Sequence, residues 1–142
     1  MPTPKINFFN ENVEFLLPKK RQIRNWIFSV ITTENYQLSE INFIFCSDEH
    51  LLGLNKQYLE HDTYTDVITF DHSETPNTVV ADVFISLDRV KENAANLNVK
   101  MFEELLRVMV HGTLHLVGFN DKNEEDKKRM TAREDYYLAE FL

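Results

Sequence analysis

The sequence predicts an α+β fold: a mixed β-sheet of about four strands packed on helices. Three observations predict it. Short β-rich segments alternate with helical patterns in the first half, helices gather in the second half, and no glycine- or proline-rich stretch separates them. A length of 142 residues suits one domain, so 1–142 is read as a single unit. Hydrophobic residues make up 43% and charged residues 27%, a globular balance that argues against disorder.

Lys5 to Phe9 reads as a short strand. Pro18 is expected in the first turn of a helix, where its missing N–H costs nothing, and Ile23, Trp26, Ile27, Val30 and Ile31 form the apolar stripe of that helix. Ile41, Phe43 and Phe45 alternate with Asn42, Ile44 and Cys46, the period of a strand. Ser47 and Asp48 can cap a short helix carrying Leu51, Leu52, Leu54 and Tyr58. Asp66 to Phe70 and Thr78 to Leu87 are β-rich, with a hairpin or longer turn at His72 to Asn77. Asp88 can begin a helix through Leu97. Lys100 to Val117 is the most apolar helix, and Asn123 to the end is an amphipathic one with Met130, Tyr137, Leu138 and Phe141.

The single cysteine, Cys46, excludes an internal disulfide and any site of four cysteines, and reads as a small buried apolar residue. Trp26 is expected in the core. No apolar run approaches the ~20 residues of a membrane helix, and the first ten residues lack a signal-peptide layout. A cytoplasmic protein is expected, without a membrane partner or an organic cofactor.

The net charge of −8 speaks against nucleic acid until it is localised. From Gln57 to Asp88 there are seven carboxylates and no Lys or Arg, so the rest of the chain nets −1. Two basic clusters lie outside that segment: Lys19, Lys20, Arg21 and Arg24, and Lys127, Lys128, Arg129 and Arg133. Each reads as a solvated helix face or as an anion-binding surface.

The chemistry concentrates at His111-Gly112-Thr113-Leu114-His115-Leu116-Val117-Gly118-Phe119-Asn120-Asp121. His111 and His115, four apart on one helical face, can reach one metal ion. Gly118 can end the helix and let the chain turn back, bringing Asp121 to the same ion. Offsets of four and ten, with glycine at seven, make this a zincin-like metal-ligand helix at the centre of the fold. Two nitrogens and one carboxylate oxygen suit zinc and leave a fourth position open, as catalytic sites do. Two unpaired imidazoles among Leu105, Leu106, Met109, Val110, Leu114 and Val117 are otherwise costly to bury. The alternative is a pair of ordinary core or surface histidines. Peptidases of the H-E-x-x-H type place glutamate beside the first histidine as general base, and Gly112 stands there.

His111 to Asp121 resembles the hallmark H-G-x-L-H-L-x-G-Y/F-D-H of the YbeY family of bacterial metal-dependent endoribonucleases. Leu54 to Phe70 is similar to the family's L-N-x-x-Y-R-x-x-D-x-x-T-D-V-L-S-F, and Ala81 to Ser86 to its G-D-I-x-I-S, followed by Asn93-Ala94. The resemblance spans residue 38 to the C-terminus. It implies a zinc-dependent, single-strand-specific endoribonuclease acting in ribosomal RNA maturation and ribosome quality control. Its partners would be ribosomal RNA and the small subunit of the ribosome, with one zinc ion per chain. His111 and His115 carry over as ligands and catalytic residues. Asp121 stands where the family usually has His, and Asn120 where it has Asp. Exchanging a neutral ligand for a charged one lowers the charge of the zinc site by one, so bound water is expected to be less acidic. Leu59 stands where the family has an arginine, a residue that could clamp phosphate. Candidate substitutes are His61, His72 and Arg107, the last also a plausible surface partner of Glu103 at i and i+4. Thr65 and Asp66 read as a strand-start cap or a substrate edge, Ser86 and Asn93 as structural. Two other classes stay open: a zinc hydrolase of other substrate, and a ribosome-associated binding protein with a structural metal.

Overall fold

Alternation along Gln37–Cys46 and Thr78–Ser86 dictates the centre of the molecule. Ile41, Phe43 and Phe45 of the first, and Val79, Ala81, Val83 and Ile85 of the second, all point to one face and are buried. The computed structural model describes residues 4–59 and 65–142. Its strands are β1 (Lys5–Glu11), β2 (Gln37–Cys46), β3 (Val67–Asp71) and β4 (Thr78–Ser86); its helices are α1 (Lys20–Thr33), α2 (Asp48–Leu59), α3 (Leu87–Leu97), α4 (Met101–Leu116) and α5 (Glu124–Phe141). The four strands form one sheet in the order β1-β2-β4-β3. β2 pairs in parallel with β1 and β4, and β3 closes the edge antiparallel to β4. This is the expected α+β fold with a mixed sheet.

Helices α1, α4 and α5 supply the other half of the main core through Ile23, Ile27, Val30, Leu106, Met109, Met130 and Tyr137. Each fully buried aliphatic side chain contributes roughly 1.5–3 kcal/mol. Trp26 is core, as expected, and its indole N–H donates to the Tyr137 carbonyl at 2.8 Å, joining α1 to α5.

The opposite face of the sheet is only half open. α2 lies over it, and Cys46, Leu51 and Ile68 form a second small core. Cys46 is therefore a buried apolar residue: burial, then the charges of Glu11, Asp48 and Asp88, push its thiol up to about 12. Beyond α2, the open face carries a polar ladder. Asn7 donates to Asn42 at 2.9 Å and Asn42 donates to Asp82 at 3.0 Å, across three neighbouring strands.

Helix starts differ in detail from the sequence reading. Pro18 precedes α1 rather than opening it, because Lys19 adopts the left-handed conformation (φ 56°) and breaks the helical path. Ser47 caps α2 by accepting from the His50 N–H at 3.2 Å. α3 begins at Leu87, one residue before Asp88, and Ser86 caps it: its hydroxyl accepts from the Arg89 N–H and donates to Asp48 at 2.7 Å.

Candidate metal centre

α4 runs across β3 and β4 with its apolar side in the main core, so its remaining face looks along the sheet edge. That face carries His111 and His115, which are 24% and 27% exposed. Gly112, between them and facing the sheet, allows the close approach. A Cβ there would sit 3.1 Å from Val83 Cγ1 and 3.4 Å from Thr69 and Val67 methyls. A glutamate at this position, as in a zinc peptidase, would start from a Cβ pressed against the sheet.

Gly118 ends the helix with φ 101°. Its N–H bonds the His115 carbonyl at 3.2 Å and the Phe119 N–H bonds the Leu114 carbonyl at 3.0 Å, the paired bonds of a Schellman turn. The turn brings Asp121 back over the helix. Asp121 Oδ2 lies 3.4 Å from Nε2 of both histidines, and the two Nε2 atoms are 3.0 Å apart. One ligand atom from each of the three residues lies within 4.8 Å of the others. All three residues expected to meet do so.

The far side of each ring is also held. His115 Nδ1 lies 3.0 Å from the Phe119 carbonyl oxygen, which can only accept, so this nitrogen carries the proton. His111 Nδ1 lies 2.6 Å from Glu134 Oε2 on α5. With both Nδ1 atoms donating, each ring in its neutral form turns an Nε2 lone pair toward Asp121. Acceptors so close repel one another unless a proton or a cation lies among them. Two imidazoles, each oriented by an outer acceptor, and the Asp121 carboxylate form the donor set of a divalent metal site.

Glu134 is the residue the sequence reading missed. Its side chain is only 8% exposed, and its Oε1 accepts from Arg107 Nη1 at 2.8 Å. Arg107 Nη2 reaches Asp135 at 2.7 Å. Arg107 therefore pairs with α5, not with Glu103, because tertiary packing supplies a buried acceptor that outcompetes the local one. The available signal was a carboxylate in the buried stripe Met130, Tyr137 and Leu138 of α5.

Electrostatics follow from this packing. Burial works against a charged His111, yet the hydrogen bond and charge of Glu134, with Asp121 and Asp66 behind them, leave its pKa above the ordinary histidine value. Burial raises the Asp66 carboxyl, an effect that His111 and the backbone N–H groups of Asp66 and Val67 only partly offset. Glu104, one turn before Arg107, is also raised, first by burial and then by Asp66.

The centre opens into a cleft of about 660 Å³. Asn55 and Leu59 of α2 form one wall, Val67 to Thr69 of β3 the other, with Thr65 and Asp66 at the start of that strand. Thr65 and Asp66 thus line the cleft, while the Asp66 carbonyl also anchors β4 by accepting from the Ser86 N–H at 2.9 Å. No Lys or Arg is among the described residues lining the cleft. His72 does not line it and instead bonds Asp82 at 3.1 Å. His61 lies outside the described residues. Of the basic clusters, Arg24 is tied to the Ile6 carbonyl and Arg133 to Glu34.

The family described as "Endoribonuclease YbeY" matches residues 6–142. The chain belongs to the YbeY endoribonuclease family. Proteins of that name from Cytophaga hutchinsonii and Christiangramia forsetii are 45% and 46% identical over 139 and 141 residues. These alignments cover 98% and 99% of this chain and 97% of each relative. The solution structure of a Thermotoga maritima protein superposes with a TM-score of 0.65 at 25% identity, covering 96% of this chain and 88% of that one. YbeY membership thus extends over β1 and α1, which the sequence resemblance did not reach, and the metal-ligand helix lies inside the matched region.

Proposed function

We propose that this endoribonuclease, acting as a single domain, is a zinc enzyme that cuts single-stranded RNA in ribosomal RNA maturation and ribosome quality control. We place it in the cytoplasm, with the small ribosomal subunit as partner. The observation that carries the reading is the convergence of His111 Nε2, His115 Nε2 and Asp121 Oδ2 in an open cleft. When bound, zinc supplies Lewis-acid chemistry, polarising a phosphoryl oxygen and lowering the pKa of water towards about 7.

The chain's own residues do the remainder. His111, His115 and Asp121 hold the ion, and Glu134 and the Phe119 carbonyl orient the two rings. Leu59, Val67 and Ile68 offer apolar walls against which unpaired bases can lie. Asp66 holds a carboxyl in the cleft beside the centre. Double-stranded RNA offers no splayed bases to such walls, which supports the single-strand preference.

The peptidase alternative lacks the general base beside the first histidine, because residue 112 is glycine and a Cβ there would press on Val83, Thr69 and Val67. A ribosome-binding role with a structural metal is supported by the absence of a cation among the described cleft residues. One experiment separates the three. Metal content is measured, then single-stranded RNA, ribosomal RNA and a peptide library are offered to the parent and to His115→Ala. RNA cleavage that needs zinc and vanishes in the variant is the expected result. Bound metal with ribosome co-sedimentation but no cleavage of any substrate would establish the binding role instead.

A further inference from the structure

Glu134 is buried on α5, and both of its oxygens are committed to α4. One accepts from Arg107, the other faces His111, and those two residues lie one helical turn apart. The Arg107 guanidinium spans two successive residues of α5, Glu134 and Asp135. We propose that Arg107 and Glu134 are positioning residues for the metal centre. Arg107 clamps Glu134, and the second oxygen of Glu134 fixes both the ring angle and the Nδ1–H tautomer of His111. This inference rests on the reading that His111 and His115 hold a metal.

The geometry distinguishes positioning from simple helix docking. Met130, Tyr137 and Leu138 already dock α5 in the main core, and the Asp135 arm of the Arg107 fork is 60% exposed and weak. Nothing in docking requires the other Glu134 oxygen to meet a ring nitrogen at 2.6 Å. That contact means a flip of the His111 ring would leave a buried carboxylate oxygen without its donor, losing a charge-assisted hydrogen bond. The clamp at Oε1 also denies the carboxylate the freedom to follow the ring. α4 therefore presents its first ligand correctly only when α5 is seated. His115 needs no such partner, because its acceptor is the Phe119 carbonyl of the adjoining turn.

The test compares full-length parent, Glu134→Gln, Glu134→Ala, Arg107→Ala and Tyr137→Phe. Dissociation constants for zinc and cobalt(II) are measured by competition with a chelator. Ring ¹⁵N spectra of the metal-free proteins are recorded at mildly alkaline pH. Glu134→Ala is expected to weaken metal binding about 10–100-fold and to release His111 from its single tautomer. Glu134→Gln keeps an amide oxygen that can accept from Nδ1–H, so it should bind more tightly than the alanine variant. Arg107→Ala should fall between parent and Glu134→Ala. Tyr137→Phe, which removes one remote hydrogen bond of α5, to Glu34, and leaves Glu134 and the packing of α5 in the core in place, should bind metal like the parent. A parent that binds no metal would sink the reading of the centre. A parent that binds while Glu134→Ala binds as tightly, with its tautomer unchanged, would overturn the positioning role alone. So would a Tyr137→Phe protein that loses affinity as much as Glu134→Ala.

Discussion

A Cβ at position 112 has three β-branched neighbours on the sheet, and such side chains are stiff at χ1 and yield little. Gly112→Glu should therefore destabilise the fold by about 3 kcal/mol or more, through overpacking and a carboxylate driven against the sheet. Thermal unfolding of the variant reads this directly, and a protein of parental stability that gains peptidase activity would refute it. His111 sets a second expectation. Burial opposes its charge, but Glu134 prevails and its folded pKa lies above the ordinary value of about 6.5. Protonation therefore stabilises the metal-free fold below that ordinary value, and the contribution is lost as pH rises through the raised folded pKa. Metal binding has the opposite sign, since a ligand nitrogen must be free of its proton. Apparent metal affinity should fall by up to about tenfold per pH unit below the raised value. Titration of the apparent dissociation constant between neutral and acidic pH checks it, and a flat profile would count against His111 as a ligand.

Whole elements decide which of these contacts exist. α5 is amphipathic, and Met130, only 2% exposed, seats it in the main core four residues before Glu134. Met130→Ala should cost about 2–5 kcal/mol, measured by denaturant unfolding. The helices and strands were readable because periodicity is a local property: Ile41, Phe43 and Phe45 alternate, and Ile23, Ile27 and Val30 recur every three to four residues. His111, His115 and Asp121 were readable for the same reason, since one helix and one Schellman turn contain all three. Glu134 and its bond to His111 were not, because they depend on α5 crossing α4 23 residues further on. Arg107 was assigned a partner on its own helix by the i,i+4 rule, and α5 offered a better buried one. The second core under α2 was legible only in part: Cys46 was expected to be buried, but what buries it was not. Alternation in β2 puts Cys46 on the face away from the main core, and only the tertiary placement of Leu51 and Ile68 covers it.

Taken over the whole molecule, charge is segregated: seven carboxylates fall between Gln57 and Asp88, while the remainder nets −1. The described cleft walls contribute no Lys or Arg, so unaided contact with phosphates is sparse there. Free single-stranded RNA should bind weakly to metal-depleted protein, with a log–log salt slope equivalent to about one or two phosphate contacts. Filter binding across a salt series tests this, and tight, steeply salt-dependent binding without metal or a ribosomal partner would show it wrong. No helix among the described residues is long and apolar enough to cross a membrane. The two ring acceptors also differ in their exposure to mutation. His111 depends on a side chain that a single codon change can remove, whereas His115 depends on the Phe119 carbonyl, which every amino acid at that position carries. One half of the centre is thus genetically fragile and the other tolerant. A saturation library should accept broad substitution at position 119 as far as packing allows, while position 134 admits almost none.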